Sequence, residues 1–303
     1  HSNIPFDFFR FFKFRDISLM NSSTSQTNLK TLGIKKMTNS ATQMNQTSTQ
    51  KVAVVTGAAG GIGKAIVRKL AVQGHKVAAL DFNEKALNEM IAELHKDGLN
   101  AYPFIADIGS SKKVEETLDQ VESDLGPIFY LVNAAGILRT GSVTDLSDED
   151  WEMTMQVNTS GVFYVSRSVT RRMIARGDKG SVVTVASNAA SIARMDMGAY
   201  AASKAAVVAF TKCLGLEMAN YGIRCNIVAP GSTDTEMLSS LTGDNSNQAS
   251  VDGSQDAFRV GIPLQRVAQP SHVADAVMFL LSELAGHITM EKLTVDGSAT
   301  LGV

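Results

Sequence analysis

The sequence predicts an α/β fold: a doubly wound, mainly parallel sheet of seven strands with helices on both faces. Three observations carry that reading. From Lys51 onward, short apolar runs alternate with helical patterns, a repetition that implies right-handed strand–helix–strand units and a parallel sheet. The runs are continuously apolar rather than alternating, as expected for strands covered on both faces. A cluster of glycines falls where the first strand hands over to the first helix.

The elements follow in order. KVAVVT (Lys51–Thr56) is a strand, and a helix starting near Gly61 runs through Lys64–Val72. KVAALD precedes a helix over Glu84–Lys96, and AYPFIAD precedes one over Ser110–Asp124. IFYLVN leads, after a polar stretch, into a long helical region from Asp148 to Arg176. GSVVTVAS is followed by a helix over Gly198–Asn220, IRCNIVAP is a further strand, and ITMEKLTVDG is the last. No linker interrupts Lys51–Val303, which therefore reads as one domain. The polar segment Leu241–Asp256 is too long for an ordinary connection, and long loops in compact folds are often lids.

Bulk properties narrow the function classes. The chain has 303 residues, 44% hydrophobic and 19% charged, with a formal net charge of -2. That balance suits a globular core and argues against a nucleic-acid or membrane-surface partner. Cys213 and Cys225 lie in apolar surroundings and read as buried free thiols, which fits a reducing, cytoplasmic setting. His1, His75, His95, His272 and His287 are scattered, and no pair has metal-ligand spacing, so no metal site is expected. Residues 1–50 are set apart. FDFFRFFKFRD is broken by charges and falls short of the roughly 18 apolar residues of a membrane span. The Ser/Thr/Asn/Gln-rich stretch to Gln50 reads as disorder. Met37 and Met44 are alternative starts, which would make the upstream part a non-native extension.

The stretch VVTGAAGGIGKAIV, Val54–Val67, holds Gly57, Gly60, Gly61 and Gly63. It follows a strand and opens a helix, and an acidic residue, Asp81, ends the second strand. That context marks a dinucleotide fingerprint: the glycines admit a pyrophosphate, and the helix N-terminus offers free N–H groups. The spacing Thr56-Gly57-x-x-x-Gly61-x-Gly63 resembles that of the short-chain dehydrogenase/reductase family, which has a Rossmann-like fold. The resemblance implies a cofactor site at Gly57, Gly61, Ile62 and Gly63. Asp81 would accept from the adenosine ribose hydroxyls and repel a 2′-phosphate, favouring NAD over NADP. It further implies that Asp107 meets the adenine and that Asn133–Gly136 supports the sheet and lines the cofactor trough. Pro230, Gly231 and Thr233 would lie near the nicotinamide carboxamide and the phosphates.

Tyr200 and Lys204 are four residues apart and share a helix face. With Ser187 at the end of a strand and Asn158 in the preceding helical region, they match the Asn–Ser–Tyr–Lys tetrad of the family. The chemistry needs these types. Oxidising an alcohol requires a base for the hydroxyl proton, and a free phenol, with a pKa of about 10, is too weak an acid near neutrality. A nearby ammonium, Lys204, would stabilise the phenolate and also hold the nicotinamide ribose. Ser187 would hold the reacting oxygen. Asn158 would hold a water that relays the proton.

Longer strings, among them NAAGILRTGSVTDLSDEDW, ASNAASIARMDMGAYAASKAA and GIPLQRVAQP, look like one branch of the family, the 2,3-dihydro-2,3-dihydroxybenzoate dehydrogenases of catechol-siderophore biosynthesis. VDGSAT departs from the Gly-Gly form of that branch. The likeness implies a small cyclic dihydrodiol carboxylate as substrate, with Ser187 and Tyr200 at its hydroxyl. Arg139 and Arg194 are placed to hold its carboxylate. Met195, Met197 and Met237 are either pocket walls or ordinary core residues. The small residues of Ala205–Ala209 and the helical region Val162–Met173 fit the family's homotetramer. A 3-oxoacyl reductase, another cis-dihydrodiol dehydrogenase and a non-catalytic dinucleotide-binding regulator are the alternatives.

Overall fold

The structure, a computed structural model, describes residues 50–242 and 246–303. The expectations for the N-terminal segment therefore lie outside the described residues, Gln50 apart. Seven strands form one sheet in the order β3-β2-β1-β4-β5-β6-β9. They are β1 Val52–Thr56, β2 Lys76–Asp81, β3 Ala101–Ile105, β4 Ile128–Asn133, β5 Gly180–Val185, β6 Ile223–Pro230 and β9 Lys292–Val295. Every neighbouring pair is parallel.

Burial alternates along the strands and so decides which helix packs where. Ala53 and Val55 of β1 face α1 (Gly61–Val72), α2 (Glu84–Lys96) and α9 (Pro270–Leu281). Val52 and Val54 face α3 (Ser111–Leu125), α5 (Val162–Arg176) and α6 (Gly198–Met218). Because both faces are covered, all five residues of β1 are buried, which is why its sequence shows no polar alternation. The order reverses between β1 and β4, so a crevice opens there beyond the carboxyl ends of the strands.

The structure refines the sequence reading at four points. Helix α9 was not foreseen; it opens with Pro270 in its first turn, where a missing N–H costs nothing. The helical region 148–176 is divided: α4 (Asp148–Met155) and α5 are joined by a π-helical turn, Gln156–Gly161. The polar segment is ordered where it is described, with α7 (Glu236–Thr242), α8 (Ser246–Asp252) and a hairpin of β7 (Gly253–Ser254) and β8 (Arg259–Val260). Leu238, Val251, Ile262, Val267 and Ala299 form a separate small core beneath it. Finally, Cys213 is exposed, while Cys225 is buried; burial pushes its thiol up to about 12. Where the glycine pair was expected, Ser298 takes a left-handed φ of 69°, and its N–H donates to Asp296 Oδ1 at 2.9 Å.

At the outer margin of the sheet, Arg224 of β6 donates to the carbonyls of Leu280, Leu281 and Ser282 at the end of α9, and to that of Ile288. The first three are the orphan acceptors a helix C-terminus leaves behind.

Candidate active site

The first strand's junction with α1 is built by its own packing. Gly57 has φ +63°, and a Cβ there would lie 2.5 Å from Ala135 Cα. A Cβ on Gly63 would lie 2.0 Å from Gly57 O, and one on Gly61 would lie 2.7 Å from Thr235 Cγ2. Gly57 and Gly63, which would meet backbone, are required by the protein itself, beyond any demand from a ligand; at Gly61 the Thr235 side chain would have to shift. Only Gly60 has room, its nearest neighbour being Gly57 O at 3.4 Å. Thr56 Oγ1 accepts from the N–H groups of Ala134 and Ala135 at 3.2 and 3.3 Å and fastens the turn to the end of β4.

The first turn of α1 has no side-chain cap and no acidic residue. Its unpaired N–H groups suit an anion. Beside it, Asp81 is held in place, Oδ2 accepting from Ala59 N and Oδ1 from Asn83 N, both at 3.0 Å. The adjoining Phe82 is exposed and carries no charge. These features fit a dinucleotide, with phosphates at the helix end and a ribose at the carboxylate. Asp107 lies two residues past β3, exposed, and accepts from Gly109 N at 2.8 Å. Asn133 points away from the crevice: its Nδ2 donates to Ser166 Oγ at 2.9 Å and to Thr184 Oγ1 at 3.4 Å. It ties β4 to α5 and β5 and does not line the trough.

A cavity of about 620 Å³ lies at the carboxyl ends of β4, β5 and β6. The structure brings Ile62, Gly136, Ser187, Tyr200 and Lys204 together on its wall. Pro230, Gly231, Thr233 and Arg194 also line it. Met195, Met197 and Met237 all line it too and none is buried, so they are walls rather than core.

Ser187 is in extended conformation (φ -167°), and its Oγ accepts from Ala189 N at 3.1 Å. The same hydroxyl interacts with the Tyr200 side chain. Tyr200 and Lys204, in the first two turns of α6, are buried. Burial raises the Tyr200 phenol above its usual range, and the Ser187 hydroxyl acts in the opposite direction. Burial lowers Lys204 to about 8. Its Nζ donates to Val185 O at 3.1 Å and lies 5.7 Å from the Tyr200 ring centroid. The expected help from Lys204 to the phenol is thus not the dominant influence; desolvation is.

Asn158 is fully buried in the π-helical turn. Its Oδ1 accepts from Ile137 N at 2.8 Å, and its Nδ2 donates to Ile137 O at 2.9 Å and to Ser203 Oγ at 3.0 Å. The carboxamide is committed to the protein and anchors the loop after β4 to α6; this side chain is not left free to hold a water. Gly136 lies over it, and a Cβ there would meet Lys204 Nζ at 3.1 Å and Asn158 Oδ1 at 3.3 Å. The structure does not bring Arg139 to the cavity: it is exposed and pairs with Asp150 at 3.4 Å. Its neighbours Leu138 and Thr140 face the cavity instead. Arg259, which the sequence reading missed, does line the cavity. It arrives from β8, three residues past the polar segment Leu241–Asp256, and no local signal marks it.

Comparison with known proteins agrees with this architecture. The short chain dehydrogenase family profile matches residues 51–246. The chain is 53% identical over 254 residues to the 2,3-dihydro-2,3-dihydroxybenzoate dehydrogenase of Bacillus subtilis, covering 84% of this chain and 97% of the relative. It is 39% identical over 252 residues to the Escherichia coli enzyme of the same name, covering 82% and 96%. Among solved structures, an actinorhodin polyketide ketoreductase with NADPH has a TM-score of 0.75 at 34% identity, covering 82% of this chain and 97% of that one. A short-chain type dehydrogenase/reductase from Mycobacterium marinum has a TM-score of 0.76 at 30% identity, covering 82% and 95%. With its parallel sheet, its glycine turn and a profile match over most of its length, the chain belongs to the short chain dehydrogenase family.

Proposed function

We propose that this protein oxidises 2,3-dihydro-2,3-dihydroxybenzoate to 2,3-dihydroxybenzoate with NAD, as a step in catechol-siderophore biosynthesis. The observation that carries the reading is the 53% identity, over 97% of its length, to a relative named for that substrate. The cavity wall of Ser187, Tyr200 and Lys204 supports it. NAD is favoured over NADP because Asp81 offers a carboxylate where a 2′-phosphate would lie, with the neutral Phe82 next to it.

When bound, the dinucleotide supplies the hydride acceptor. Gly57, Gly61, Ile62 and Gly63 would hold its phosphates, Asp81 and Asp107 its adenosine end, and Gly136, Pro230, Gly231 and Thr233 its nicotinamide end. Tyr200 Oη takes the proton of the substrate hydroxyl, and Ser187 Oγ donates to the same oxygen and orients it. One of the three N–H groups of Lys204 is used on Val185; the other two remain for a ribose. Burial of Tyr200 opposes loss of the phenol proton, and the hydrogen bond with Ser187 favours it. Asn158 acts through position, keeping Ile137 and α6 in register.

Residues 51–303 are read as one domain. A homotetramer is supported by apolar side chains left exposed on α5 and α6, Phe163 and Leu216 among them. A cytoplasmic setting is supported by the two free cysteines. Absorbance at 340 nm with NAD and the dihydrodiol carboxylate tests the reading. Formation of reduced cofactor together with 2,3-dihydroxybenzoate is expected; oxidation of acyl or plain cyclohexanol substrates alone would overturn it.

A further inference from the structure

Arg194 and Arg259 are set on the same cavity wall system as Ser187 and Tyr200, one from the loop after β5 and the other from β8. Both are half-buried. Among the described residues neither forms an ion pair, unlike Arg139, which pairs with Asp150 outside the cavity. Among the described residues the one hydrogen bond of Arg259 is long, from Nη2 to Ser232 Oγ at 3.4 Å. The acid whose charge Arg194 feels is Asp296, but that carboxylate is already engaged. Its Oδ2 accepts from Thr300 N at 3.0 Å, Thr300 Oγ1 at 2.8 Å and Asn188 Nδ2 at 3.3 Å. Its Oδ1 accepts from Ser298 N.

The two guanidinium groups also repel each other. Burial lowers the pKa of Arg194, and the charge of Arg259 lowers it further. Two half-desolvated cations sharing one cavity, with no carboxylate in contact with either among the described residues, are costly by themselves. An anion between them removes that cost and gains two forks of donors suited to a carboxylate. The position of Arg259 is also fixed tightly: a Cβ on Gly261, two residues on, would lie 2.0 Å from Val251 O, so the backbone of the hairpin is pressed against α8.

We propose that Arg194 and Arg259 form a two-armed clamp for the substrate carboxylate and set the preference for an anionic ring over a neutral one. This rests on the proposed function for the identity of the substrate, though not for the need of an anion. The clamp holds the acidic end of the ring, and Ser187 and Tyr200 receive its hydroxyl. Arg139 has no part in it.

The test compares kcat/KM for the dihydrodiol carboxylate with that for the same diol lacking the carboxylate, cyclohexa-3,5-diene-1,2-diol. In Arg259→Met, and separately in Arg194→Met, the ratio of the two is expected to fall at least ~30-fold, a size typical of lost hydrogen bonds to a charged group. Arg259→Lys is expected to recover part of that loss, because a point charge remains without the fork. A ratio within ~3-fold of wild type in both Met variants would overturn the clamp, since a structural defect lowers both substrates together. Calorimetric binding of 2,3-dihydroxybenzoate gives a second readout independent of turnover. If wild type oxidises neither diol, the proposed function fails. The clamp then stands only if 2,3-dihydroxybenzoate still binds to wild type and binds at least ~30-fold more weakly to Arg259→Met.

Discussion

Lys204 donates to the carbonyl oxygen of Val185 at 3.1 Å, so the side chain that faces the Tyr200 ring also fastens α6 to the end of β5. Its ammonium is buried, and its pKa is lowered from 10.5 to about 8. The sign of the linkage follows. Between pH 8 and 10.5 the unfolded chain holds a proton on this group that the folded chain lacks, so this group adds stability as pH rises through the window and costs stability below it. Lys204→Met is therefore expected to raise the Tm of the cofactor-free protein at pH 7, where the cost is of the order of 3 kcal/mol before the lost bond to Val185 is counted. The advantage should shrink steadily from pH 8 to 10.5. A Tm difference that stays constant across that range would show that Lys204 titrates normally.

Tyr200→Phe keeps the ring and removes the proton acceptor. Turnover is expected to fall at least ~100-fold, within the range for general acid–base groups, while the dissociation constant for NAD stays within ~3-fold. Steady-state rates with fluorescence titration of the cofactor check both halves.

Asp81→Ser removes the carboxylate while leaving an oxygen for Ala59 N. The KM for NAD should rise at least ~10-fold, and the NADP-to-NAD ratio of kcat/KM should rise by a similar factor, because the repulsion of a 2′-phosphate is gone. An unchanged ratio would place the ribose elsewhere.

Gly63→Ala and Gly60→Ala separate the two roles of the glycine turn. A methyl at residue 63 meets Gly57 O at 2.0 Å, whereas one at residue 60 meets nothing closer than 3.4 Å. The first should lower Tm by several degrees even without cofactor, by a backbone clash of the kind that costs more than ~2 kcal/mol. The second should leave Tm within ~2 °C and act on NAD affinity alone. Thermal unfolding with and without NAD distinguishes them.

Asn158→Ala breaks the bonds to Ile137 and Ser203 and leaves buried partners unpaired. Stability is expected to drop by roughly 2–4 kcal/mol, with a loss of kcat that Asn158→Asp does not restore, since an ionised carboxylate cannot donate to Ile137 O or Ser203 Oγ. Urea unfolding and initial rates provide the check.

How much of this was readable in the sequence depends on where the controlling contacts lie. Strands such as β1 and β5 announce themselves because both faces are buried, and that leaves an unbroken apolar run. Tyr200 and Lys204 are close in sequence, so helical spacing alone puts them on one face. Arg139 and Arg259 show the opposite case. Residue 139 lies beside cavity-lining neighbours on either side and still turns outward to Asp150, a choice made by rotamer and partner. Residue 259 lies just past the polar stretch, in a short hairpin next to the small core of Leu238, Val251 and Ile262. Helix α9 carried its start signal in Pro270, but its mostly apolar sequence reads equally as a buried strand; its place beside α1 decides the matter.

The π-helical turn between α4 and α5 has a consequence for how that region tolerates change in length. Gln156–Gly161 carries one residue more than a regular turn would hold, so the two helices are out of phase by about 100°. Removing a single residue such as Val157 would swing α4 about its axis and carry the amide beneath Ile137 out of reach. Substitutions there alter one contact; a deletion would rephase the whole wall behind the cavity.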